Sequence, residues 1–142
     1  MTVLIAQSPE DRAACFAIRE RVFVQEQGVA LDLEMDEWDA VATHFLLRDG
    51  QTGEPLATAR LLNKDGLAKI GRVAVLAPAR GRGLGMQIMQ AVLAEARRLG
   101  FSEAVLDAQT YALPFYARLG FAPEGDEFDE AGIPHYTMRR RL

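Results

Sequence analysis

The residues best suited to bind a ligand form a glycine-rich segment between a predicted strand and a long predicted helix. Residues 73–85 read Val-Ala-Val-Leu-Ala-Pro-Ala-Arg-Gly-Arg-Gly-Leu-Gly. Glycines let the backbone approach a ligand closely, and the first N–H groups of a helix have no partner within the helix. Those N–H groups can converge on an anion, so the segment suits a pyrophosphate group.

Two common nucleotide-binding motifs do not fit this segment. The Walker motif requires Gly-Lys followed by Ser or Thr, whereas Gly85 is followed by Met86. The dinucleotide-binding fingerprint requires a third glycine at the position of Met86. A simple glycine-rich turn that leads into a surface helix is the alternative interpretation.

This segment and a second one downstream resemble the motifs of the GNAT superfamily of N-acetyltransferases. The acetyl-CoA motif of that superfamily, Arg/Gln-x-x-Gly-x-Gly/Ala, is matched by Arg80, Gly83 and Gly85. A second family pattern is Asn-x-x-Ala-x-x-Phe/Leu-Tyr-x-x-x-Gly-Phe, and Gln109 stands at its Asn position. The residues that match the rest of this pattern are Ala112, Phe115, Tyr116, Gly120 and Phe121.

The predicted secondary structure agrees with the fold of that superfamily over nearly the whole chain. Hydrophobic patterns predict strands at residues 2–7, 43–48, 55–62, 69–76 and 102–108, two strands within 123–142, and helices at 9–23, 84–99 and 112–119. The order βαβββαβαββ describes a mixed α/β domain, and the resemblance implies a mixed sheet flanked by helices, with splayed central strands. Residues 21–27 and 132–135 are similar to the ElaA-like subgroup.

The resemblance also implies where acetyl-CoA binds. The coenzyme would lie between strands that splay apart near Val75 and Ala108, with its pantetheine arm held by backbone groups of Val73 and Val75. Gln109 is a further expected contact. The pyrophosphate would be held by Arg80, Gly81, Arg82, Gly83, Leu84 and Gly85. No metal is expected, because a helix N-terminus supplies the anion site.

Acyl transfer from a thioester requires an attacking amine, removal of its proton and help for the departing thiolate. The family pattern places a tyrosine hydroxyl near the coenzyme sulfur, so Tyr116 is the expected general acid. A thiol with a pKa near ~8.5 is already a tolerable leaving group, and the acid would therefore contribute modestly. The alternative is that Tyr116 packs in the core with its hydroxyl bonded locally.

The general base has several candidates. An alkyl amine with a pKa near ~10.4 is neutral in only about one molecule in a thousand at pH 7, so a carboxylate or histidine should help. Many family members carry a glutamate just before the Val-Ala-Val run, but residues 69–72 are Lys-Ile-Gly-Arg. Glu26 and His135 are predicted to act as base or as acceptor contacts, and Asp36 and His44 as further acceptor contacts. A structural or solvated role is the alternative for each.

Charge is segregated along the chain. No Lys or Arg lies between Arg21 and Arg48, and the acids there are Glu26, Asp32, Glu34, Asp36, Glu37 and Asp39. The segment between residues 60 and 82 carries Arg60, Lys64, Lys69, Arg72, Arg80 and Arg82 against Asp65 alone. The acidic segment would attract a positively charged acceptor.

These features predict transfer of an acetyl group to the primary amine of a small, cationic molecule by direct attack. Two alternatives stay open. A non-catalytic acyl-CoA-binding module is suggested by the missing strand carboxylate, and an acetyltransferase acting on protein lysines or N-termini is compatible with the acidic segment.

The composition fits one domain over residues 1–142. The chain has 142 residues, of which 49% are hydrophobic and 25% charged, enough for a core without disulfides or a structural metal. The single cysteine, Cys15, is expected in the core. The net charge of -4 argues against nucleic-acid binding. The absence of a signal-like or membrane-length apolar segment predicts a cytoplasmic protein that binds no membrane. A free strand edge or helix face would allow a homodimer.

Overall fold

Seven strands form one mixed sheet, with helices packed on both of its faces; the computed structural model describes residues 2–142. The strands are β1 (Thr2–Ile5), β2 (Thr43–Arg48), β3 (Pro55–Lys64), β4 (Leu67–Val75), β5 (Glu103–Gln109), β6 (Ala122–Glu130) and β7 (Ile133–Arg141). The helices are α1 (Pro9–Arg19), α2 (Leu31–Glu34), α3 (Leu84–Arg98) and α4 (Leu113–Arg118). The predicted order is confirmed, with the short α2 added inside the acidic segment.

The first helix begins where the sequence predicts but changes character before its end. The Ser8 hydroxyl accepts a hydrogen bond from the Asp11 N–H at 3.1 Å, and Pro9 occupies the first turn. After Arg19 the chain continues as a π-helix over Glu20–Glu26, hereafter the π segment. Such wider turns are common at functional sites. Here the π segment ends at Glu26, which lies beside Arg80 of the glycine-rich turn.

The sheet opens between β4 and β5. The strand order is β1-β2-β3-β4-β5-β7-β6, and β4 with β5 forms its parallel pair. Their register runs only from Ala68↔Ala104 to Ile70↔Leu106. Beyond Ile70 the pairing of β4 with β3 is irregular opposite Gly71, and Arg72 adopts a φ of 54°. The two strands therefore diverge toward their carboxyl ends, which confirms the predicted splay.

The hydrophobic core lies on both faces of the sheet. Helix α3 buries Leu84, Ile88 and Val92 against the sheet face that includes Phe45 and Ile70. Helix α1 covers the opposite face, where Cys15, Ile18, Val22, Leu46 and Ala74 are buried together. A Leu, Ile, Val or Phe side chain among these contributes roughly 1.5–3 kcal/mol when fully buried. The prediction that Cys15 lies in the core is confirmed, and burial raises the pKa of its thiol.

Alternation along β5 divides its residues between the two faces. Ala104, Leu106 and Ala108 belong to the core beneath α3, so Asp107 and Gln109 point to the other face. Helix α1 packs on that other face against β2, β3 and β4. The face formed by β5 and β7 beyond α1 is therefore available for a site.

Within residues 2–142, no helix combines the length and apolar character needed to cross a membrane.

Candidate active site

A tight turn joins the end of β4 to α3. A short 3-10 turn, Ala77–Ala79, is followed by Arg80, and both Gly81 and Gly83 have a positive φ, 81° and 76°. Gly83 is the N-cap residue of α3 and has no side chain to cap the helix. The first backbone N–H groups of α3 are thus left for a ligand.

Gly85 is required for packing rather than for its backbone conformation. A Cβ atom at this position would lie 3.3 Å from Cζ of Phe115, closer than ordinary contact. Phe115 belongs to α4, the helix that carries Tyr116. The second glycine of the motif therefore lets the turn and α4 approach each other.

A cavity of about 440 Å³ lies at this turn. Its lining consists of Val75, Ala79, Arg80, Gly81, Gly83, Leu84, Gly85, Met86, Phe115 and Arg118. Most of the residues predicted to hold the coenzyme are thus brought together. Four of the predicted coenzyme contacts are not part of this lining: Val73, Arg82, Gln109 and Tyr116. Val73 packs against the core, and the Arg82 guanidinium lies 3.7 Å from the Asp49 carboxylate.

Arg80 is held at the cavity by two contacts. Its Nε donates to the Val75 carbonyl at 3.0 Å, and its Nη2 lies 2.9 Å from a carboxylate oxygen of Glu26. The Arg80 and Glu26 side chains are 46% and 38% exposed, so a bound anion can reach the pair. Glu26, predicted as base or acceptor contact, thus neutralises a predicted coenzyme-binding residue.

Gln27, the residue after Glu26, contacts the end of β5 on the other side of the gap between the diverging strands. Gln109, at the end of β5, donates from Nε2 to Oε1 of Gln27 at 2.8 Å, and the Gln27 amide donates back at 3.4 Å. Glu26 therefore contacts the turn that follows β4, and the next residue, Gln27, contacts the end of β5. The sequence could not show this, because Gln27 and Gln109 are far apart along the chain.

Tyr116 is buried next to the cavity. The residue is 9% exposed, and its ring packs edge-on against Phe115 at 4.9 Å and Phe121 at 6.1 Å. Burial raises the pKa of its hydroxyl, and the neighbouring Tyr111 raises it further. Among residues 2–142, no group forms a hydrogen bond with this hydroxyl. Tyr116 therefore packs in the core, as the alternative interpretation expects. The local hydrogen bond of the hydroxyl that this interpretation also expects is not found among the described residues.

The face of β5 opposite α3 carries a polar cluster that the sequence analysis missed. Asp107 accepts hydrogen bonds from Lys69 Nζ and Thr137 Oγ1, both at 2.8 Å. Burial by itself would raise the pKa of Asp107, but these two hydrogen bonds outweigh it and the pKa is lowered. The alternation of β5 could have placed Asp107 on this face, whereas its contacts depend on the strand pairing.

His135 lies beside this cluster, opposite Gln109 in the β5–β7 register. Its Nδ1 is 2.7 Å from the Ile133 carbonyl oxygen. Because a carbonyl can only accept, Nδ1 is the donor in this contact, and in the neutral ring Nε2 carries the lone pair. The ring stacks on Phe128 with centroids 5.9 Å apart, and Nε2 lies 3.6 Å from Glu130. This arrangement suits proton acceptance at Nε2.

Most carboxylates of the acidic segment before β2 are already paired with arginines and are not free to attract a cation, contrary to expectation. Asp36 lies 2.7 Å from Arg60 and 3.2 Å from Arg72, so it is already paired. Glu34 and Asp39 are buried and bound by Arg19 at 2.8 and 2.7 Å. The acidic and basic segments of the sequence thus largely neutralise each other.

His44 is placed inside the protein rather than at the site. The residue is 1% exposed, packs edge-on against Phe16, and donates from Nε2 to the Asp39 carbonyl at 2.8 Å. Burial lowers its pKa and favours the neutral ring. This position does not fit the predicted contact with an acceptor, because the ring is enclosed and its Nε2 is already bound to the Asp39 carbonyl, whereas His135 is 7% exposed.

A family model described as an acetyltransferase (GNAT) domain matches residues 16–142. The chain belongs to the GNAT family of acetyltransferases. It is 38% identical to the uncharacterized N-acetyltransferase YjcF of Bacillus subtilis over 141 residues, which cover 99% of each chain. Acetyl-CoA is the donor that this family uses, so the chain is an acyltransferase.

Solved structures of the family share the fold. An acyl-CoA N-acyltransferase from Pseudomonas aeruginosa superposes with a TM-score of 0.84 at 34% identity and covers 98% of this chain and 97% of its own. Escherichia coli ElaA gives a TM-score of 0.83 at 30% identity with the same coverage. The GNAT resemblance and the mixed α/β fold predicted from the sequence are confirmed.

Proposed function

We propose that the protein transfers the acetyl group of acetyl-CoA directly to the primary amine of a small cationic acceptor. The observation that carries this proposal is the cavity at the start of α3, which provides an anion site and is lined by Phe115, the neighbour of the buried Tyr116 on α4. An anion site without a reacting group would suit a binding module, whereas the two together suit group transfer.

The donor would be anchored through its pyrophosphate. The free N–H groups at Gly83, Leu84 and Gly85 would bind the phosphate oxygens, and the Arg80 guanidinium would add charge-assisted hydrogen bonds. Arg80 would have to exchange its Glu26 partner for the pyrophosphate. Because exposed ion pairs contribute little free energy, this exchange costs little.

The reaction would use one base and one acid. The acceptor nitrogen attacks the thioester carbonyl carbon while Nε2 of His135 takes its proton. The tetrahedral intermediate then collapses, the C–S bond breaks, and the Tyr116 hydroxyl donates its proton or a hydrogen bond to the departing sulfur. His135 fits the role of base better than Glu26, because Glu26 is engaged by Arg80.

The preference for a cationic acceptor rests on β6 rather than on the segment before β2. The acids of this strand are Glu124, Asp126, Glu127, Asp129 and Glu130. Glu124 is paired with Arg139 at 3.2 Å, which leaves the other four acids on the part of the strand that pairs with β7 beside His135, where most residues are exposed. The negative charge of these carboxylates concentrates a positively charged amine near His135, the proposed base.

Thiol release and coenzyme binding together test the proposed function. Calorimetry with acetyl-CoA should give saturable binding, and an assay of free thiol over a panel of diamines, monoamines and lysine-containing peptides should show the fastest release with a small diamine. Coenzyme binding without thiol release from any amine would support the binding module instead. Faster release with peptides would support protein acetylation.

Glu26→Gln is expected to tighten acetyl-CoA binding by about two- to fivefold, because Arg80 no longer has to give up a carboxylate partner. Calorimetric titration measures this change. Glu20→Gln is the matched control, since Glu20 is an exposed acid at the other end of the π segment. Weaker binding in Glu26→Gln, or equal tightening in both variants, would contradict competition between Glu26 and the pyrophosphate.

A further inference from the structure

The polar cluster on β5 lies at the point where β4 and β5 separate. The backbone register of the two strands ends at Ile70↔Leu106. Lys69 comes directly before Ile70 on β4, and Asp107 comes directly after Leu106 on β5. Their side chains meet across the two strands, with Lys69 Nζ 2.8 Å from Asp107 Oδ2. The ion pair therefore joins the strands where their separation begins, a point hereafter called the vertex.

The carboxylate at the vertex is also held by a third strand. Thr137 lies opposite Asp107 in the β5–β7 register and donates from its Oγ1 to Asp107 Oδ1 at 2.8 Å. Burial opposes ionisation of Asp107, but the hydrogen bonds from Lys69 and Thr137 keep its pKa below the usual value. The carboxylate is therefore charged at neutral pH, and both of its oxygens are bound by donors.

The two faces of the vertex are closed in different ways. Ile70 and Leu106 are 1% and 2% exposed and belong to the core beneath α3. Side chains alternate along a strand, so Lys69 and Asp107 point to the opposite face. Their side chains keep 21% and 24% of their exposure. Packed apolar side chains thus fill one face of the vertex, and a charged pair that solvent still reaches closes the other.

The proposed donor would approach the vertex from the carboxyl end of β4. Val75 ends β4 at the glycine-rich turn and lies about 17 Å from Ile70, since a strand rises about 3.3 Å per residue. A pyrophosphate bound at the turn leaves the pantetheine arm to run back between the strands toward the vertex. The acyl group is the end of the donor, so each added carbon extends it toward Lys69 and Asp107.

We propose that Lys69 and Asp107 determine which acyl groups the enzyme accepts, by closing the vertex to acyl chains of more than a few carbons. This inference rests on the proposed function, which places the donor between β4 and β5. A longer hydrocarbon that covered the ion pair would remove its hydration without supplying a new hydrogen bond. A hydrocarbon that entered the other face would overpack the core around Ile70 and Leu106.

The double variant Lys69→Met/Asp107→Ala tests the proposal, because it replaces the ion pair with apolar side chains and leaves more room at the vertex. Lys69→Arg keeps the charge and is the conservative variant. Lys64→Met is the matched control, since Lys64 is the other lysine of the chain and is exposed at the end of β3. Thiol release with one amine would give kcat/KM for acetyl-CoA, butyryl-CoA and hexanoyl-CoA, and calorimetry would give the affinity for each donor.

The wild type is expected to favour acetyl-CoA over hexanoyl-CoA by about 100-fold or more in kcat/KM. The double variant should reduce this preference to about tenfold or less, whereas Lys69→Arg and Lys64→Met should retain it. Asp107→Asn keeps the size of the side chain and should raise the relative use of hexanoyl-CoA by about threefold, even if the double variant does not fold. Partial unfolding lowers the rates with both donors equally, so a merely structural role would not change their ratio.

Three results overturn the proposal. The wild type could use hexanoyl-CoA as well as acetyl-CoA, the ratio could stay unchanged in both variants that alter Asp107, or Lys64→Met could change it equally.

Failure of the proposed function has a different signature, because no amine then releases thiol from any donor. Binding still tests the vertex in that case. Weaker binding of hexanoyl-CoA than of acetyl-CoA by the wild type, but not by Lys69→Met/Asp107→Ala, supports closure by the ion pair. Equal binding of the two donors by the wild type contradicts it, as does the absence of binding by every donor.

Discussion

Replacing Tyr116 with phenylalanine is expected to lower kcat by about 10- to 100-fold and to leave acetyl-CoA affinity within about twofold of the wild type. The variant keeps the ring and its edge-on packing against Phe115 and Phe121, but it loses the hydroxyl that would assist the departing sulfur. The effect lies at the low end for acid catalysis because a thiol leaves readily. Steady-state thiol release gives kcat, and calorimetry gives the affinity.

Tyr111→Phe is the matched control for this prediction. Tyr111 is an exposed phenol whose influence reaches Tyr116 through its effect on the Tyr116 pKa. Its removal should change kcat far less than removal of the Tyr116 hydroxyl. A larger loss of kcat in Tyr111→Phe than in Tyr116→Phe would make Tyr111 the general acid. Unchanged kcat in both variants would show that the departing sulfur needs no general acid.

The raised pKa of Tyr116 also fixes the shape of the pH profile. Burial keeps the hydroxyl protonated above the pH at which a free tyrosine would ionise, so the acid form persists into the alkaline range. The acceptor amine loses its proton as pH rises, which increases the fraction that can attack. We therefore expect kcat/KM of the wild type to rise up to about pH 10 without an alkaline decline.

Much of the fold was predictable because it depends on local patterns. Ser8 and Pro9 predict the start of α1, and the glycines at 81, 83 and 85 predict the turn into α3 through their backbone and packing requirements. Such features need only residues that are close in sequence. The same holds for the second motif, which places Tyr116 on α4 beside the turn.

The contacts that complete the site were not predictable, because they join distant segments. Lys69 reaches Asp107 only because a crossover through α3 makes β4 and β5 parallel neighbours. The charge pattern was misread for the same reason. Acidic and basic segments that look separate along the chain face each other across the fold, where Asp36 meets Arg60.

The buried ion pairs under the acidic segment lead to the second prediction: Arg19→Met should lower the free energy of unfolding by about 3–5 kcal/mol. Arg19 is 1% exposed and binds both Glu34 and Asp39. Methionine fills similar space but leaves two buried carboxylates short of a partner. Urea unfolding measures the loss. Arg21→Met is the control, since Arg21 is exposed on the following turn and its replacement should cost less than about 0.5 kcal/mol.

The pH dependence of that loss separates the charge contribution from simple packing. Burial alone would raise the pKa of Asp39, but hydrogen bonds and charge from Arg19, together with a hydrogen bond from Arg60, hold it well below its usual value. A carboxyl whose folded pKa is depressed stabilises the fold above its unfolded pKa, near ~3.9, and loses that contribution as pH falls toward its folded pKa. Wild-type stability should therefore drop as pH falls below about 4 to 5, and Arg19→Met should show a shallower drop from a lower starting value. If the two curves ran parallel across this range, the loss would come from packing, and Arg19 would contribute no charge stabilisation to Asp39.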